Sequence, residues 1–166
     1  MADRARMARA TARKAGVWAL ALLALTAGLL WFASQRTTEA KARQAIIEYD
    51  RALAEATARL DPELMAPVAS EREKQRVANY IILLNGRGVT LESTLHDFEV
   101  LDVASEDPTV TVTVRERWTY RERDKDTGEY VSDEYEEAPT LRYTLLPEGD
   151  GYTVYLAEVI EEGREE

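Results

Sequence analysis

The pattern of hydrophobic and polar positions differs between three consecutive parts of the chain. Residues 15–34 form an uncharged and mostly apolar run. Residues 37–60 repeat alanine, isoleucine, leucine and tyrosine at intervals of three and four, which is typical of one face of an amphipathic helix. After Gly88 apolar and polar residues alternate, and a period of two predicts β-strands. The pattern therefore predicts an apolar segment, a helical region and a sheet, in that order.

The apolar run at 15–34 is long enough to cross a lipid bilayer. As an α-helix it would extend about 30 Å, which is the thickness of the hydrocarbon core. Trp18 and Trp31 lie near its two ends, where indole rings prefer the membrane interface. A cleaved signal peptide is the main alternative, but cleavage would leave Trp31 or Phe32 where a small residue is required. A buried core helix would show a polar face. The run favours a transmembrane helix that contacts the bilayer.

Two helices are predicted between this run and the sheet. The first covers 37–60 and ends near Pro62, because proline disfavours a helical conformation at the residue before it. Ser70 is the predicted N-cap of the second helix, with Glu73 as its partner in a capping box, and the helix ends at Gly86. We expect the charged first turns of this helix to face solvent and its apolar last turns to face the core.

Four strands are predicted after Gly88, and short turns join them. They cover residues 96–103, 109–121, 140–146 and 152–160. Sequential strands with short connections form an antiparallel meander. Helices followed by such a meander predict an α+β fold, in which the helices pack on one face of a curved four-stranded antiparallel sheet.

Charge divides the chain at the end of the apolar run. The whole chain has a formal net charge of -10, with 31 acidic and 21 basic residues. Residues 1–36 carry six basic side chains and one acidic side chain, whereas the rest carries 15 basic and 30 acidic ones. Basic residues before a membrane helix favour a cytoplasmic N-terminus, so the acidic part is expected outside the cytoplasm, on a single-pass protein of the inner or cytoplasmic membrane. The predicted segments are a basic cytoplasmic tail at 1–14, a transmembrane helix at 15–34, a helical part at 35–88, a sheet part at 89–162 and an acidic tail at 163–166.

Composition excludes several classes of site. The chain has no cysteine, which excludes disulfides and zinc–thiolate centres, and its single histidine excludes any site with two imidazole ligands. The acidic balance argues against nucleic-acid binding, which needs basic surfaces. Motifs of the common hydrolases, nucleotide-binding proteins and zinc enzymes do not occur in the sequence. We therefore expect no catalysis, no cofactor and no metal.

One carboxylate and three aromatic residues are the candidate ligand-binding residues. Glu116 interrupts the apolar face of the second predicted strand, so it lies at a bulge, at a rim, or buried along a pocket. The aromatic candidates are Trp118, Tyr120 and Tyr143. Aromatic residues at such positions are more often core residues than ligand contacts. The four residues line a pocket only if the sheet leaves its concave side open.

Other polar features have simpler interpretations. His96 and Asp97 are neighbours along a strand and point to opposite faces, so we expect a surface histidine that Asp97 does not orient. Residues 124–129 partly match a calcium-binding loop but lack its distal glutamate, and we expect a charged hairpin tip. The acidic run at 129–137 predicts a solvated loop, or alternatively a surface for a basic partner or divalent cations.

The strand residues resemble a known family. The segments are 99–103, 109–118, 143–145 and 151–154, within a resemblance that covers about residues 40–160. In this order, after helices, they resemble the nuclear transport factor 2-like, or cystatin-like, cone, and in particular the intermembrane-space-type domain of plastid and cyanobacterial division proteins. Gly151-Tyr152 stands where that family often has Gly-Trp. The resemblance implies a curved sheet around a pocket. A single N-terminal membrane anchor before such a domain is similar to several bacterial envelope proteins.

Three functions remain open from the sequence. The first is a membrane-anchored interaction or scaffold module without catalysis, which binds a protein partner or forms a homo-oligomer. The second is a small-molecule-binding cone in which Glu116 and the tyrosines line the cavity. The third is an enzyme that uses His96 or Glu116 as a base. One fold can host all three, so the geometry of the site has to decide between them.

Overall fold

The structure is a computed structural model that describes residues 36–161, without the side chain of Glu161. These residues divide into a first unit, of which helical residues 36–39 are described, and a second unit that begins at Ala40. The predicted tails and the predicted membrane span at 15–34 lie outside the described residues. Between residues 36 and 161 no helix is long and apolar enough to cross a membrane. The second unit contains all the features described below.

The second unit is an α+β domain with two helices and five strands. Its elements are α1 (40–59), a short 3-10 turn (Pro62–Met65), α2 (Glu71–Gly86), β1 (Val89–Glu106), β2 (Thr109–Asp124), β3 (Tyr135–Glu137), β4 (Thr140–Glu148) and β5 (Gly151–Glu161). The sheet is antiparallel with the order β1-β2-β4-β5, and β3 pairs with β2. The predicted meander is confirmed, but the predicted number of four strands is wrong. β3 has only three residues, too few for an alternating pattern.

The first strand is much longer than predicted. β1 begins at Val89 rather than at residue 96, and it pairs with β2 along its length. Irregularities interrupt the pairing between Leu95 and Asp97 and again between Val100 and Asp102. A bulge shifts side chains from one face to the other, so the sequence of β1 lacks the clean alternation that marks β2.

α2 begins where the sequence predicts, but its burial is different. The Ser70 hydroxyl accepts a hydrogen bond from the Glu73 backbone N–H at 3.3 Å, and so it caps the helix. The Glu73 side chain is fully buried, whereas Ile82 and Leu83 in the last turns are 64% and 65% exposed. The predicted solvated start and buried end are therefore confirmed in part, since Glu71 and Arg72 are exposed and Ile81 and Leu84 are buried, whereas Glu73, Ile82 and Leu83 depart from the prediction. The start is held against the sheet because the Ser70 backbone N–H donates to the carbonyl of Val154 on β5 at 2.8 Å.

The core lies between the helices and one face of the sheet. On β2 the buried residues alternate regularly from Val110 to Trp118. Ile46 and Tyr49 of α1 belong to the same buried cluster as Val112 of β2. The helices therefore pack on one face of the sheet, as the order of elements predicts.

Candidate functional site

A cavity of about 550 Å³ lies between the helices and the inner face of the sheet. Both helices and all five strands contribute lining residues. The four candidate residues from the sequence, Glu116, Trp118, Tyr120 and Tyr143, all line it. The face of the sheet toward the helices is therefore partly open, although Trp118 and Tyr143 also belong to the buried part of the domain.

β2 changes its neighbour at the cavity, and this change positions Glu116. β2 pairs with β4 as far as Arg115 and with β3 from Trp118 onward. Glu116 lies between the two paired stretches, and its backbone N–H donates to the carbonyl of Pro139 at 3.1 Å. Because side chains two apart on a strand share a face, Glu116 and Trp118 point to the same side of the sheet. Of the three positions considered for Glu116, the structure shows the buried one along the cavity.

Three buried side chains form a carboxyl cluster at the inner end of the cavity, which we call the Asp50–Tyr143–Glu116 cluster. The Tyr143 hydroxyl lies 3.0 Å from Asp50 Oδ1 and 3.0 Å from Glu116 Oε1. Trp118 Nε1 donates a hydrogen bond of 2.7 Å to Glu116 Oε2. Asp50 and Glu116 are each only 2% exposed. The second oxygen of Asp50, Oδ2, has no hydrogen-bond partner within residues 36–161.

This cluster contains too few protons for two carboxylates. A phenol has one proton to donate, so the Tyr143 hydroxyl cannot donate to both carboxylates at once. A carboxyl proton must therefore complete the second hydrogen bond. Burial and the neighbouring Glu116 hold the pKa of Asp50 well above its ordinary value, and burial also raises the pKa of Glu116, against the hydrogen bonds from Trp118 and Tyr143. Because Glu116 has two donors when ionised, we infer that Asp50 carries the shared proton and donates it to the Tyr143 oxygen.

A second buried carboxylate lies nearby and is fully satisfied, in what we call the Tyr49–Glu73–Arg76 cluster. Arg76 Nε is 2.9 Å from Glu73 Oε2, and the Tyr49 hydroxyl donates to Glu73 Oε1. Arg76 Nη2 also donates to the Tyr49 hydroxyl at 3.3 Å. Hydrogen bonding to Glu73 raises the pKa of Arg76, while burial and the Glu73 charge raise the pKa of Tyr49. A guanidinium thus balances this carboxylate, and no oxygen of Glu73 is left without a donor.

Aromatic rings form one wall of the cavity. Trp118 and Tyr120 stack with ring centroids 6.1 Å apart, and Tyr120 and Tyr135 stack at 5.4 Å. Tyr80 on α2 and Tyr135 on β3 are each 43% exposed, so the wall extends from the buried carboxyl cluster to solvent. A flat apolar group fits against this wall, and the rings also present their electron-rich faces to a cation.

Other features of the sequence lie away from the cavity. His96 is exposed and hydrogen bonds Thr119 Oγ1 at 2.9 Å, while Asp97 pairs with Arg117. The surface position predicted for His96 is confirmed, and His96 does not line the cavity. Asp124 accepts hydrogen bonds from two backbone N–H groups of its own turn, as a hairpin tip does. Across residues 36–161 no cluster of three or more acidic or histidine side chains is arranged to hold a metal ion.

Two site residues were missed from the sequence. Asp50 follows Ile46 by four positions and precedes Leu53 by three, so helical spacing places it on the buried face of α1. A charged residue within an apolar stripe was the signal that could have identified it. Glu137 also lines the cavity, and it belongs to β3 rather than to the solvated loop expected for the acidic run. The pairing of β3 with β2 brings Glu137 opposite Trp118.

The fold is similar to the solved structures of an intermembrane space region and of a periplasmic fragment. The intermembrane space region of the chloroplast protein ARC6 is 17% identical, with a TM-score of 0.59 over 71% of this chain and 95% of that one. A periplasmic fragment of TraM is 13% identical, with a TM-score of 0.50 over 69% of this chain and 94% of that one. No protein-family model and no curated protein sequence matches the chain. The predicted resemblance to an intermembrane-space-type domain is therefore confirmed for the fold.

Proposed function

We propose that the chain is an extracytoplasmic binding module that holds a small organic ligand in the cavity between its helices and its sheet. The observation that carries the proposal is the oxygen Oδ2 of Asp50, which is buried beside a cavity of about 550 Å³ and lacks a hydrogen-bond partner in the described part of the chain. Ligand cavities commonly measure about 300–1,000 Å³ and combine apolar walls with few polar groups. A buried oxygen without a donor is costly, and a ligand that supplies the donor removes that cost.

Of the three functions that the sequence leaves open, this proposal favours the small-molecule-binding cone over the interaction or scaffold module. A cone filled with side chains would have removed the ligand hypothesis, whereas the cavity is open. The scaffold function remains a second candidate because Ile82 and Leu83 expose apolar side chains on α2. The proposal does not include catalysis by His96 and Glu116 together, since His96 lies on the outer surface and Glu116 lies in the cavity.

The membrane placement is part of the proposal. It is supported by the apolar run at 15–34 and by the basic residues before it. The similarity to an intermembrane-space region and to a periplasmic fragment agrees with a domain outside the cytoplasm. A reporter enzyme that works only outside the cytoplasm should be active when it is fused after Glu166. Activity of a cytoplasmic reporter at the same position would contradict this orientation.

The binding function is tested by filling the cavity from the helix side. Ala54 of α1 lines the cavity and is partly exposed, so Ala54→Trp places a large ring in the cavity without replacing a buried core residue. Ala58 lies one turn later on α1, is exposed and does not line the cavity, so Ala58→Trp is the matched control. The full chain should be studied in lipid nanodiscs, because detergent molecules would compete for an apolar cavity.

The readout is ligand-detected NMR with a panel of small aromatic and aliphatic compounds. We expect some compounds to bind the natural chain and the Ala58→Trp variant, and to lose binding to Ala54→Trp. If no compound shows this difference, the cavity is not a binding site and the proposed function is wrong.

A further inference from the structure

We propose that the ligand is an organic cation, a primary or secondary amine on a flat apolar group, whose ammonium binds Asp50 Oδ2 and takes over the role of the shared proton in the Asp50–Tyr143–Glu116 cluster. This inference rests on the proposed function, because it names the chemical class of the ligand for the same cavity. It is carried by the unpartnered oxygen of Asp50, by the charge of the cavity lining and by the aromatic wall.

The charge of the cavity lining favours a cationic ligand. The charged residues that line the cavity are three carboxyl residues, Asp50, Glu116 and Glu137, and one cation, Arg76. Arg76 is already paired with the buried Glu73, with Nε 2.9 Å from Glu73 Oε2. The guanidinium therefore does not neutralise the Asp50–Tyr143–Glu116 cluster. A cationic ligand would supply a positive charge next to the Asp50–Tyr143–Glu116 cluster, where the described residues place none.

The Asp50–Tyr143–Glu116 cluster has fewer hydrogen-bond donors than carboxyl oxygens. Asp50 and Glu116 together present four oxygens, and Tyr143 and Trp118 supply one proton each. In the free protein a carboxyl proton fills part of this shortage, and Oδ2 of Asp50 stays without a donor. An ammonium brings up to three N–H donors, so it can bind the ionised Asp50 while Tyr143 donates to Glu116.

The aromatic wall supplies the rest of the recognition. Trp118 is hydrogen bonded to Glu116 and stacks on Tyr120, so an indole ring lies next to the carboxyl cluster. A cation close to a tryptophan or tyrosine face is stabilised by the ring, and the apolar part of the ligand can extend along Tyr120 and Tyr135 toward solvent. Carboxylates with adjacent aromatic faces suit an amine better than they suit an anion.

The proton balance of binding follows from these contacts. Before binding, Asp50 is a carboxylic acid that donates to the Tyr143 oxygen. The arriving ammonium keeps its own proton, Asp50 loses its proton to solvent, and Tyr143 keeps its phenolic proton for Glu116. About one proton is therefore released for each amine that binds. A neutral ligand with the same shape would leave the acid proton in place and would release none.

The test compares 2-phenylethylamine with 2-phenylethanol, which share a ring and a chain but differ in charge. Calorimetry on the full chain in nanodiscs, at neutral pH in phosphate and in HEPES buffer, which contain no primary or secondary amine, measures both affinity and proton release. We expect the amine to bind at least about tenfold more tightly than the alcohol, with release of about one proton. Asp50→Asn should lower the affinity for the amine by about tenfold or more and abolish the proton release.

Glu99→Gln is the matched control for the loss of one negative charge. Glu99 is exposed on β1, pairs with Arg115 and does not line the cavity, so its substitution should leave both the affinity and the proton release nearly unchanged. Equal binding of amine and alcohol, or amine binding without proton release, would overturn the inference and leave the proposed function intact. If neither compound binds although other ligands respond to Ala54→Trp, only the inference is wrong. If no ligand responds to Ala54→Trp, the proposed function itself fails.

Discussion

The two buried carboxyl clusters of this domain are built from similar parts and differ in their balance of charge and donors. Each places a buried tyrosine hydroxyl against a carboxylate, and the two rings, Tyr49 and Tyr143, contact each other edge to face at 5.8 Å. The Tyr49–Glu73–Arg76 cluster has its own cation and leaves no carboxylate oxygen without a donor. The Asp50–Tyr143–Glu116 cluster lacks a cation and leaves one oxygen unpartnered.

This difference separates a structural cluster from the cluster that we propose as a binding site. Burying an ionised carboxylate is unfavourable unless a cation and hydrogen bonds compensate for the lost hydration. Glu73 is compensated within the protein, so its cluster can hold α2 against α1 without any ligand. Asp50 and Glu116 are compensated only in part, and they lie beside an open cavity. The comparison shows that one guanidinium distinguishes the compensated carboxylate of Glu73 from the partly compensated carboxyl groups of Asp50 and Glu116.

Removal of that guanidinium should have the largest effect on stability. Arg76→Ala leaves Glu73 fully buried without its cation, and truncating one partner of a buried ion pair is strongly destabilising. We expect the free energy of unfolding to fall by about 3 kcal/mol, at the lower end of the usual range because Arg76 itself is half exposed. Urea denaturation followed by circular dichroism measures the change. Arg72→Ala, one turn earlier on α2 and exposed, is the control and should have little effect. A similar small loss for both variants would show that Glu73 does not depend on Arg76.

The two tyrosines offer a closer comparison with a smaller effect. Tyr49→Phe removes one donor from Glu73, which keeps its bonds to Arg76, so we expect a loss of about 1 kcal/mol. Tyr143→Phe leaves Asp50 without a hydrogen-bond partner in the described residues and removes one donor from Glu116, so we expect about 2 kcal/mol. The same denaturation experiment measures both. Equal losses, or a larger loss for Tyr49→Phe, would contradict the difference between the clusters.

The sequence predicts the sheet side of the site better than the helix side. Glu116, Trp118 and Tyr120 lie on β2, where strict alternation assigns every residue to one face. Tyr143 lies on β4, which the sequence also predicts as a strand. For α1, the aliphatic and tyrosine positions were enough to define a buried face, and the charged Asp50 was not considered as a member of it.

Local sequence motifs did not predict the features of the site that depend on contacts between distant parts of the chain. Glu73 was interpreted through its spacing from Ser70, and the capping role of Ser70 is confirmed while the Glu73 side chain turns toward Arg76 instead. The pairing of Glu73 depends on Tyr49, which is 24 residues away in the chain. β3 lies within an acidic run, and only its contact with β2 makes it a strand. Long-range contacts, which a local pattern does not contain, decided each of these cases.

We infer that the Asp50–Tyr143–Glu116 cluster holds a shared proton on Asp50. A carboxyl group whose pKa is raised on folding stabilises the folded protein at low pH, and this contribution is lost as pH rises from the unfolded pKa, about 3.9 for aspartate, toward the raised folded pKa. Asp50→Asn has no proton to lose at this position, while Glu116, Tyr143 and Trp118 still face it.

The most direct test is the free energy of unfolding of the natural chain and of Asp50→Asn as a function of pH. Groups elsewhere in the domain contribute to both proteins, so the difference between the two curves reports the titration of the cluster. We predict that the natural chain loses stability relative to Asp50→Asn as pH rises from 4 toward neutrality, with a slope of at most about 1.4 kcal/mol per pH unit. A difference that does not change with pH, or that grows in favour of the natural chain, would show that Asp50 is ionised in the folded protein and would contradict the shared proton.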